Sequence, residues 1–287
     1  MIATPLTLSE FLDRIYAIQR PLAVETLRQY QVSVALFERW SGGPVPLADL
    51  DELAVSEWLR DLALTRSPAT CRSKRTQIVA LWRAAADDGL CDPPRRRIRS
   101  VRVPWTPPVA WTYDEVRLLV AAAETIPRWH SCGLRRAAWW SLAIRVAWDT
   151  ALRWGDMIAL RVDQIGMDGT IAIAQSKTGR QWIGRLSPST LSFARETITH
   201  RPRGVLLPWR GSHETFAAQF AAIVRRAGVR AGTWKWLRRG SATDAELAEP
   251  GAGARQLGHR PGSRIAELSY LDPLILGRVG RRPREIG

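Results

Sequence analysis

The chain has 287 residues, of which 46% are hydrophobic, with a formal net charge of +15 and a pI near 11.1. This length and composition support two folded domains, and the excess of positive charge favours nucleic acid over a membrane surface as the partner. A signal peptide, a membrane span and a zinc site are not expected, because no apolar stretch is long enough and Cys71, Cys91 and Cys132 lack metal-ligand spacing. We therefore expect the three cysteines to be free thiols. We also expect the protein to be cytoplasmic and associated with the nucleoid.

The first part of the chain has the pattern of four helices. A capping box at residues 7–10 starts the first helix, which continues with apolar residues at helical spacing. The second helix stops at a glycine pair, and the fourth opens with Ser67 and Pro68. The predicted helices cover residues 8–18, 24–40, 54–64 and 67–89. They form a compact helical domain at residues 1–94.

Prolines and arginines then mark a domain boundary. Residues 95–110 are predicted to be a stiff, non-helical linker, because prolines on both sides limit helix formation. Its five arginines are candidate phosphate contacts, with a solvated linker as the alternative: Arg95, Arg96, Arg97, Arg99 and Arg102. Residues 1–110 carry 15 basic and 12 acidic side chains, and residues 111–287 carry 27 and 15, giving net charges of +3 and +12. The second domain therefore holds most of the electrostatic attraction for a polyanion.

The second domain, residues 111–287, is predicted to be mainly helical with one small hairpin. It opens with a capping box at residues 112–115. Ile171 and Ile173 alternate with small or polar residues, which indicates a strand, and a Lys-Thr-Gly turn precedes the return strand. Strands are predicted at 170–175 and 181–186, and helices at 112–124, 134–152, 156–160, 188–200, 213–227, 234–248 and 252–258. The fold class is thus mainly α with a small antiparallel β-sheet in the second domain (α+β).

Scarce residue types draw attention to one set of positions. Of 42 basic residues only three are lysines, at positions 74, 177 and 235, and only one of the four tyrosines, Tyr270, follows position 113. The candidate site residues, in chain order, are Arg153, Lys177, Lys235, Arg238, His259 and Tyr270. Planar guanidinium groups bind phosphate oxygens, and a tyrosine hydroxyl can act as a nucleophile. This set is typical of a phosphodiester site.

Five short segments resemble the motifs of the tyrosine recombinases, the phage integrase family, and follow in the same order. They are the first arginine box at 151–161, the lysine turn at 175–180, the second arginine box at 237–243, the Leu-Gly-His box at 257–259 and the nucleophile segment at 270–273. Each motif is short, but five in order are specific. The four N-terminal helices also resemble the family's SAM-like core-binding domain.

The resemblance implies a role for each residue. Arg153 and Arg238 would bind the phosphate and neutralise charge as a pentacoordinate phosphorane forms. Lys177 would protonate the departing 5′ oxygen, and His259 would hydrogen-bond the phosphate. Tyr270 would attack phosphorus and leave a 3′-phosphotyrosyl link. No metal or cofactor is expected, because the covalent link retains the bond energy for religation.

Two features depart from the family pattern. Lys235 stands where the family usually has histidine, which accepts a proton near neutral pH, whereas an unperturbed lysine with a pKa of about 10.4 is already protonated. Lys235 is therefore either a phosphate contact or a base with a lowered pKa. The loop between His259 and Tyr270 is slightly longer than is common, so we expect a rearranged segment to deliver the tyrosine.

The resemblance also implies an assembly. A C-shaped, two-domain clamp would close on double-stranded DNA, with a tetramer on paired sites and a monomer in free solution. Accessory DNA-bending or directionality factors are compatible with that assembly. The residues after Tyr270 include Leu274, Ile275 and Leu276 and a run of arginines, which implies a tail that docks on a neighbouring protomer. A frayed basic end is the alternative.

The function expected from these observations is that of a site-specific recombinase, an integrase of a mobile element. Two alternatives that act on DNA stay open. One is a catalytically silent DNA-binding regulator of the same fold, which is compatible with lysine at position 235 in place of histidine. The other is a type IB topoisomerase that relaxes DNA without exchanging partners. An RNA-binding module fits the charge but does not account for the ordered motifs.

Overall fold

The structure is a computed structural model, which describes residues 5–199, 203–260 and 264–278. The chain divides into two compact units, Met1–Trp105 and Thr106–Gly287. Each unit has its own hydrophobic core. No helix within the described ranges is both long enough and apolar enough to cross a membrane.

Four helices account for most of the described residues of the first unit, which also has a short 3-10 helix at Leu47–Asp49. Helix α1 comprises three successive segments, of which the middle one is a π-helix: Leu8–Phe11, Leu12–Tyr16 and Ala17–Gln19. The others are α2 (Val24–Ser41), α3 (Glu52–Leu62) and α4 (Pro68–Asp87). The capping box predicted at Thr7 is present, and α2 ends at Gly42 with φ of 87°, a backbone conformation that favours glycine. Phe11, Phe37 and Trp58 lie in the core that these helices share.

The start of the arginine-rich segment is bound to this first unit. Glu52 accepts hydrogen bonds from the backbone N–H groups of Arg95 and Arg96, and Ser56 accepts one from the N–H of Arg99. Arg75 donates in turn to the Arg99 carbonyl, and Ile98 is buried in the core. The backbone of residues 95–99 is therefore fixed on α3 and α4. The five arginine side chains of the segment are exposed.

The second unit contains eight α-helices, a short 3-10 helix (Val162–Gln164) and a two-stranded antiparallel sheet within its described residues. The helices are α5 (Tyr113–Glu124), α6 (Arg136–Thr150), α7 (Trp154–Ala159), α8 (Pro188–Ile198), α9 (His213–Ala227), α10 (Lys235–Ala248), α11 (Ala252–Gln256) and α12 (Arg264–Ser269). Strands β1 (Thr170–Ala174) and β2 (Gln181–Arg185) pair with Thr170 opposite Arg185. Helix α6 lies at the centre, packed against α5, α8, α10 and β2. Its C-terminal end leads directly into the first arginine box.

The core of this unit is unusually aromatic. Trp139 and Trp140 of α6 are fully buried, and they pack against Phe216 and against each other. Trp139 donates its indole N–H to the Pro208 carbonyl, which satisfies its one polar atom. These two tryptophans are therefore core residues.

The predicted fold class, mainly α with a small antiparallel sheet, is confirmed. Both strands and the helices predicted in the second unit lie within a few residues of their expected bounds. Helix α12 was not predicted, because the preceding Pro261, Gly262 and Ser263 are turn-forming types and only six residues separate them from Tyr270. This helix brings the chain to the tyrosine.

Candidate active site

The first arginine box begins where α6 ends. Ala151 closes α6 in the left-handed conformation, with φ of 48°, which is uncommon for a residue other than glycine. This conformation turns its carbonyl toward Arg238, which donates to it through Nη1. Arg153 follows as the N-cap residue of α7. One strained turn thus connects the two arginines that the sequence assigned to the phosphate.

Arg238 is buried on the first turn of α10. Its Nη2 donates to the Leu257 carbonyl at 3.0 Å, and its Nε has no hydrogen-bond partner among the described residues. Burial is the main reason that its pKa falls to about 10, and the nearby positive charge of Arg153 lowers it further. The guanidinium lies 5.1 Å from the centre of the Tyr270 ring. A buried cation with an unpaired N–H is suited to bind an anion.

Asp156 connects the first arginine to the lysine turn. Its carboxylate is buried, and Oδ1 accepts hydrogen bonds from both the N–H and the hydroxyl of Ser176, at 2.8 and 2.6 Å. The other oxygen lies 3.8 Å from Nη1 of Arg153. The carboxylate therefore fixes the turn and faces the arginine at once. Lys177, the next residue, is exposed and makes no hydrogen bond or ion pair with any described residue, so its ammonium is free to meet a ligand.

His259 follows α11 and faces the same centre. Its backbone N–H donates to the Ala254 carbonyl at 2.9 Å, which fixes the turn. The ring lies 5.4 Å from that of Tyr270, edge to face. Loss of hydration, followed by the positive charges of Arg238, Arg153 and Arg180, lowers the pKa of His259 to about 4. The imidazole is therefore neutral at physiological pH and can donate one hydrogen bond.

Tyr270 comes directly after α12 and is partly buried against the basic side chains. Burial is the largest single influence on its pKa and raises it, but the positive charges of Arg238, Lys235 and Arg153 together outweigh burial. The net result is a lowered pKa for the phenol. Cations around a phenol stabilise its anionic form, which is the better nucleophile.

Two contacts anchor the chain on either side of the tyrosine. Arg239 donates to the Ser269 carbonyl and to the Val109 carbonyl, both at 3.2 Å. On the other side, the buried carboxylate of Asp272 accepts from the Ala110 N–H at 2.8 Å, and the Asp272 N–H donates to Thr243. The ring of Tyr270 is thereby held beside its own chain's Arg238 and His259. The three residues 261–263 of the preceding loop, where the sequence predicted extra length, lie outside the described residues.

Lys235 opens α10, one turn before Arg238. Its Nζ lies 5.4 Å from the centre of the Tyr270 ring. Loss of hydration is the main cause of its lowered pKa; the charges of Arg239, Arg238 and Lys177 lower it further, and Tyr270 opposes them. Lysine and tyrosine thus act on each other directly. The remaining lysine, Lys74, is buried in the first unit and donates to the Gln29 carbonyl, which is a structural position.

An apolar cavity of about 610 Å³ opens beside this cluster. Its wall includes Trp154, Phe216, Phe220 and Trp234, and the basic side chains of Arg153, Lys235 and Arg238 lie along the same opening together with Tyr270. Low-polarity walls strengthen charge interactions with an anion at the opening.

The structure places five of the six candidate residues around one point, and Lys177 stands on the adjoining turn, near enough for its charge to lower the pKa of Lys235. Sequence reasoning did not assign the residues that hold them: Asp156, Gln175, Arg239 and Asp272. One signal was available for Asp156, since an acidic residue three positions after an arginine at a helix start is a natural partner for it. Nothing in the local sequence indicated the other three.

The family model of the phage integrase family matches residues 111–262, more than half of the chain. Among curated protein sequences, none is significantly similar to this chain. The described motifs from Arg153 to His259 lie inside the matched range.

Solved structures share the fold. A lambda integrase tetramer bound to a Holliday junction has a TM-score of 0.74 and 22% identity, covering 99% of this chain and 81% of that chain. The XerH site-specific recombinase bound to difH in a pre-cleavage complex has a TM-score of 0.68 and 17% identity, covering 94% and 83%. The Tn1549 transposon integrase in complex with circular intermediate DNA has a TM-score of 0.67 and 13% identity, covering 92% and 95%.

At these identities the solved structures support the fold, and the family model supports the relationship. The residues that match the family's motifs in sequence also meet in space, in the unit that the family model covers. This chain is therefore a member of the phage integrase family, the tyrosine recombinases.

Proposed function

We propose that this protein is a site-specific DNA recombinase that cuts and rejoins strands through a phosphotyrosine intermediate. The single observation that carries the proposal is the convergence of two guanidinium groups, an imidazole and a tyrosine with a lowered pKa at one point. A phosphodiester is the substrate that needs all of them, because it is anionic and is attacked at phosphorus.

In the proposed reaction, Arg153 and Arg238 bind the two non-bridging oxygens of the scissile phosphate. Neutral His259 donates a further hydrogen bond to the same phosphate. These contacts stabilise the additional negative charge that develops on the equatorial oxygens in the transition state. The buried, partly unsatisfied guanidinium of Arg238 is already oriented, so little reorganisation accompanies binding.

The Tyr270 oxygen forms a bond to phosphorus as its proton departs to solvent. The bond from phosphorus to the 5′ oxygen breaks, and Lys177 donates a proton to that oxygen. The 3′ phosphate is then joined to tyrosine, and attack by a 5′ hydroxyl reverses the step on the same or another strand. We assign Lys235 the role of a cation that favours the tyrosinate, because its ammonium lies close to the Tyr270 ring and its charge lowers the pKa of Tyr270.

The proposed partner is double-stranded DNA, recognised chiefly through phosphate contacts. The exposed side chains of Arg95, Arg96, Arg97, Arg99 and Arg102 supply contacts from the connecting segment. Exchange between two duplexes requires four strand cleavages, so we propose that four protomers act together on paired sites. The lambda integrase tetramer on a Holliday junction is an arrangement of this kind in a protein of the same fold.

Only part of the tail that follows the tyrosine is available for docking on a neighbouring protomer. Residues 271–278 pack on their own unit: Leu271 is buried, and Arg278 pairs with Glu246 and Glu267. Residues 279–287, with Arg281, Arg282 and Arg284, lie outside the described residues. Docking of that terminal part on a neighbouring protomer stays a prediction, and loss of recombination with intact cleavage after truncation at residue 278 is its test.

A nicked suicide substrate tests the reaction. A randomised library of nicked duplexes is incubated with the parent protein and with Tyr270→Phe, and DNA that stays attached to protein in denaturant is recovered and sequenced. We expect adducts and an enriched site with the parent alone. DNA binding without an adduct in the parent would identify a silent regulator instead. Relaxation of a plasmid that carries one enriched site, without exchange between two sites, would identify a topoisomerase.

A further inference from the structure

Gln175 is a buried amide in the lysine turn. Only 1% of its surface is exposed, although the five residues that follow it, 176–180, are all exposed. Its backbone is fixed as well, because its N–H donates to the Arg180 carbonyl and its carbonyl accepts from the N–H of Gly179, each at 2.8 Å. Backbone and side chain are therefore both held in place beside the arginines.

The amide oxygen faces the first arginine. Oε1 accepts a hydrogen bond from Nη1 of Arg153 at 2.9 Å and another from the hydroxyl of Thr178 at 3.3 Å. Among the described residues, the guanidinium of Arg153 has one other polar neighbour, the more distant carboxylate of Asp156 at 3.8 Å. The short hydrogen bond to Gln175 consequently determines the direction in which that edge of the guanidinium points.

The amide nitrogen faces the Leu257 carbonyl, which also accepts a hydrogen bond from Arg238. Nε2 donates to the Leu257 carbonyl at 3.2 Å, and the same carbonyl accepts from Nη2 of Arg238 at 3.0 Å. Because arginine only donates and a carbonyl only accepts, a single orientation of the amide satisfies both ends. Gln175 thus links Arg153 to the acceptor that also holds Arg238.

Gly258 leaves room for the amide beside the backbone. Gly258 has a φ of 68°, and a Cβ on it would lie 2.7 Å from Nε2 of Gln175 and 2.9 Å from Cδ1 of Trp182. The Gly of the Leu-Gly-His box therefore leaves the space that the amide occupies.

We propose that Gln175 is a positioning residue that sets the relative orientation of Arg153 and Arg238 at the scissile phosphate, an inference that rests on the phosphoryl transfer proposed above. Gln175 does not contact the substrate; it acts by holding one arginine directly and the other through their shared carbonyl. An arginine displaced by about 1 Å costs on the order of 100-fold in rate. The amide therefore affects the cleavage step more than DNA binding.

Gln175→Met tests the proposal, because methionine has a similar length and forms neither hydrogen bond. Gln256→Met is the matched control: Gln256 donates to the Asp149 carbonyl at 2.7 Å and to Ser241 at 3.1 Å, so it also joins separate elements, but its amide reaches neither arginine. At saturating protein on the nicked suicide duplex, we expect cleavage by Gln175→Met to fall about 10- to 100-fold. We expect Gln256→Met to cleave within about threefold of the parent, and both variants to bind the duplex with near-parent affinity.

Gln175→Glu separates positioning from packing. It keeps an acceptor for Arg153 and Thr178 but replaces the donor to Leu257 with a carboxylate oxygen, so its cleavage rate should lie between those of Gln175→Met and the parent. The proposal would be overturned if Gln175→Met and Gln256→Met lost equal amounts of cleavage activity, or if Gln175→Met lost only DNA affinity. It would also be overturned if Gln175→Glu cleaved no faster than Gln175→Met. Thermal melting shows whether Gln175→Met folds. If it does not fold, Gln175→Glu tests the proposal alone, and a cleavage rate equal to the parent's would contradict a role for the Nε2 hydrogen bond to Leu257. An inactive parent would overturn the proposed function and this inference together.

Discussion

Lys235 and Tyr270 form a cation–aromatic pair, with Nζ 5.4 Å from the centre of the ring. Each changes the protonation of the other: the lysine's charge lowers the pKa of the tyrosine, and the tyrosine opposes the lowering of the lysine's pKa. A histidine at this position would be neutral at pH 7, whereas the lysine supplies a positive charge. A substitution between the two residues therefore distinguishes a base at position 235 from a cation that favours the tyrosinate.

Lys235→His is predicted to move the acid limb of the pH–rate profile to higher pH, by a few tenths to about one pH unit. The reason is that a neutral imidazole no longer lowers the pKa of Tyr270, so the tyrosinate forms at higher pH. Single-turnover cleavage of the suicide duplex from pH 5.5 to 9 measures the limb. A shift to lower pH would instead show that residue 235 accepts the tyrosine proton, because histidine titrates below lysine.

Lys177→Ala is predicted to slow cleavage of an ordinary duplex by about 10²- to 10⁴-fold, because the 5′ oxygen then departs without a proton. A duplex with sulfur in place of that bridging oxygen should be cleaved by the variant at close to the parent rate, since a thiolate departs unassisted. Lys177→Arg is the control: it keeps the charge but holds its proton too tightly, so it should remain slow on the oxygen substrate. Equal defects on both substrates would exclude Lys177 as the acid.

Asp156→Asn is predicted to reduce cleavage about 10- to 100-fold. The change removes the negative charge that faces Arg153 and weakens the hold on Ser176, so both the arginine and the lysine turn are free to move. A loss of about 1–3 kcal/mol in unfolding free energy is expected as well, because buried hydrogen bonds are weakened. Asp163→Asn, at an exposed carboxylate paired with Arg161, provides the control and should match the parent. Denaturant unfolding and single-turnover cleavage measure the two effects.

His259 should make folding stability depend on pH. Its pKa is about 4 in the folded protein and about 6.5 in an unfolded chain, so unfolding takes up a proton between these values. The contribution of neutral His259 to folding stability is fully present above pH 6.5 and is lost as pH falls toward 4. His259→Gln should therefore lose less stability than the parent between pH 7 and pH 4.5. Denaturant unfolding at constant ionic strength measures this difference, and parallel curves for the two proteins would contradict it.

Replacing Arg96, Arg97 and Arg99 together with Gln is predicted to reduce the salt dependence of DNA binding. Each lost phosphate contact lowers the log–log slope by about 0.9. The affinity should fall by the same factor on the enriched site and on unrelated duplex, because phosphate contacts carry no base sequence. Fluorescence anisotropy at several salt concentrations measures both quantities. An unchanged slope would mean that the segment is a solvated connection, the alternative reading of its charge.

The sequence by itself determined the helices of both units, the hairpin and the order of the motifs, because capping boxes, prolines, glycines and apolar spacing act over a few residues. It also supplied all six candidate residues through the family motifs, and the scarcity of lysine and tyrosine drew attention to Lys177, Lys235 and Tyr270. It could not supply α12, since turn-forming residues obscured so short a helix.

Only the tertiary structure decided which side chains support the site. Gln175, Asp156, Arg239 and Asp272 act across 22, 20, 130 and 162 positions of the chain, respectively, and no local pattern encodes a hydrogen bond of that span. Burial and the crowding of cations likewise arise only when the chain is packed. Both lower the pKa values of Lys235 and His259, whereas for Tyr270 the cations lower the pKa against the opposing effect of burial. The identity of the reactive groups is local in sequence, whereas their orientation and protonation depend on neighbours that folding brings together.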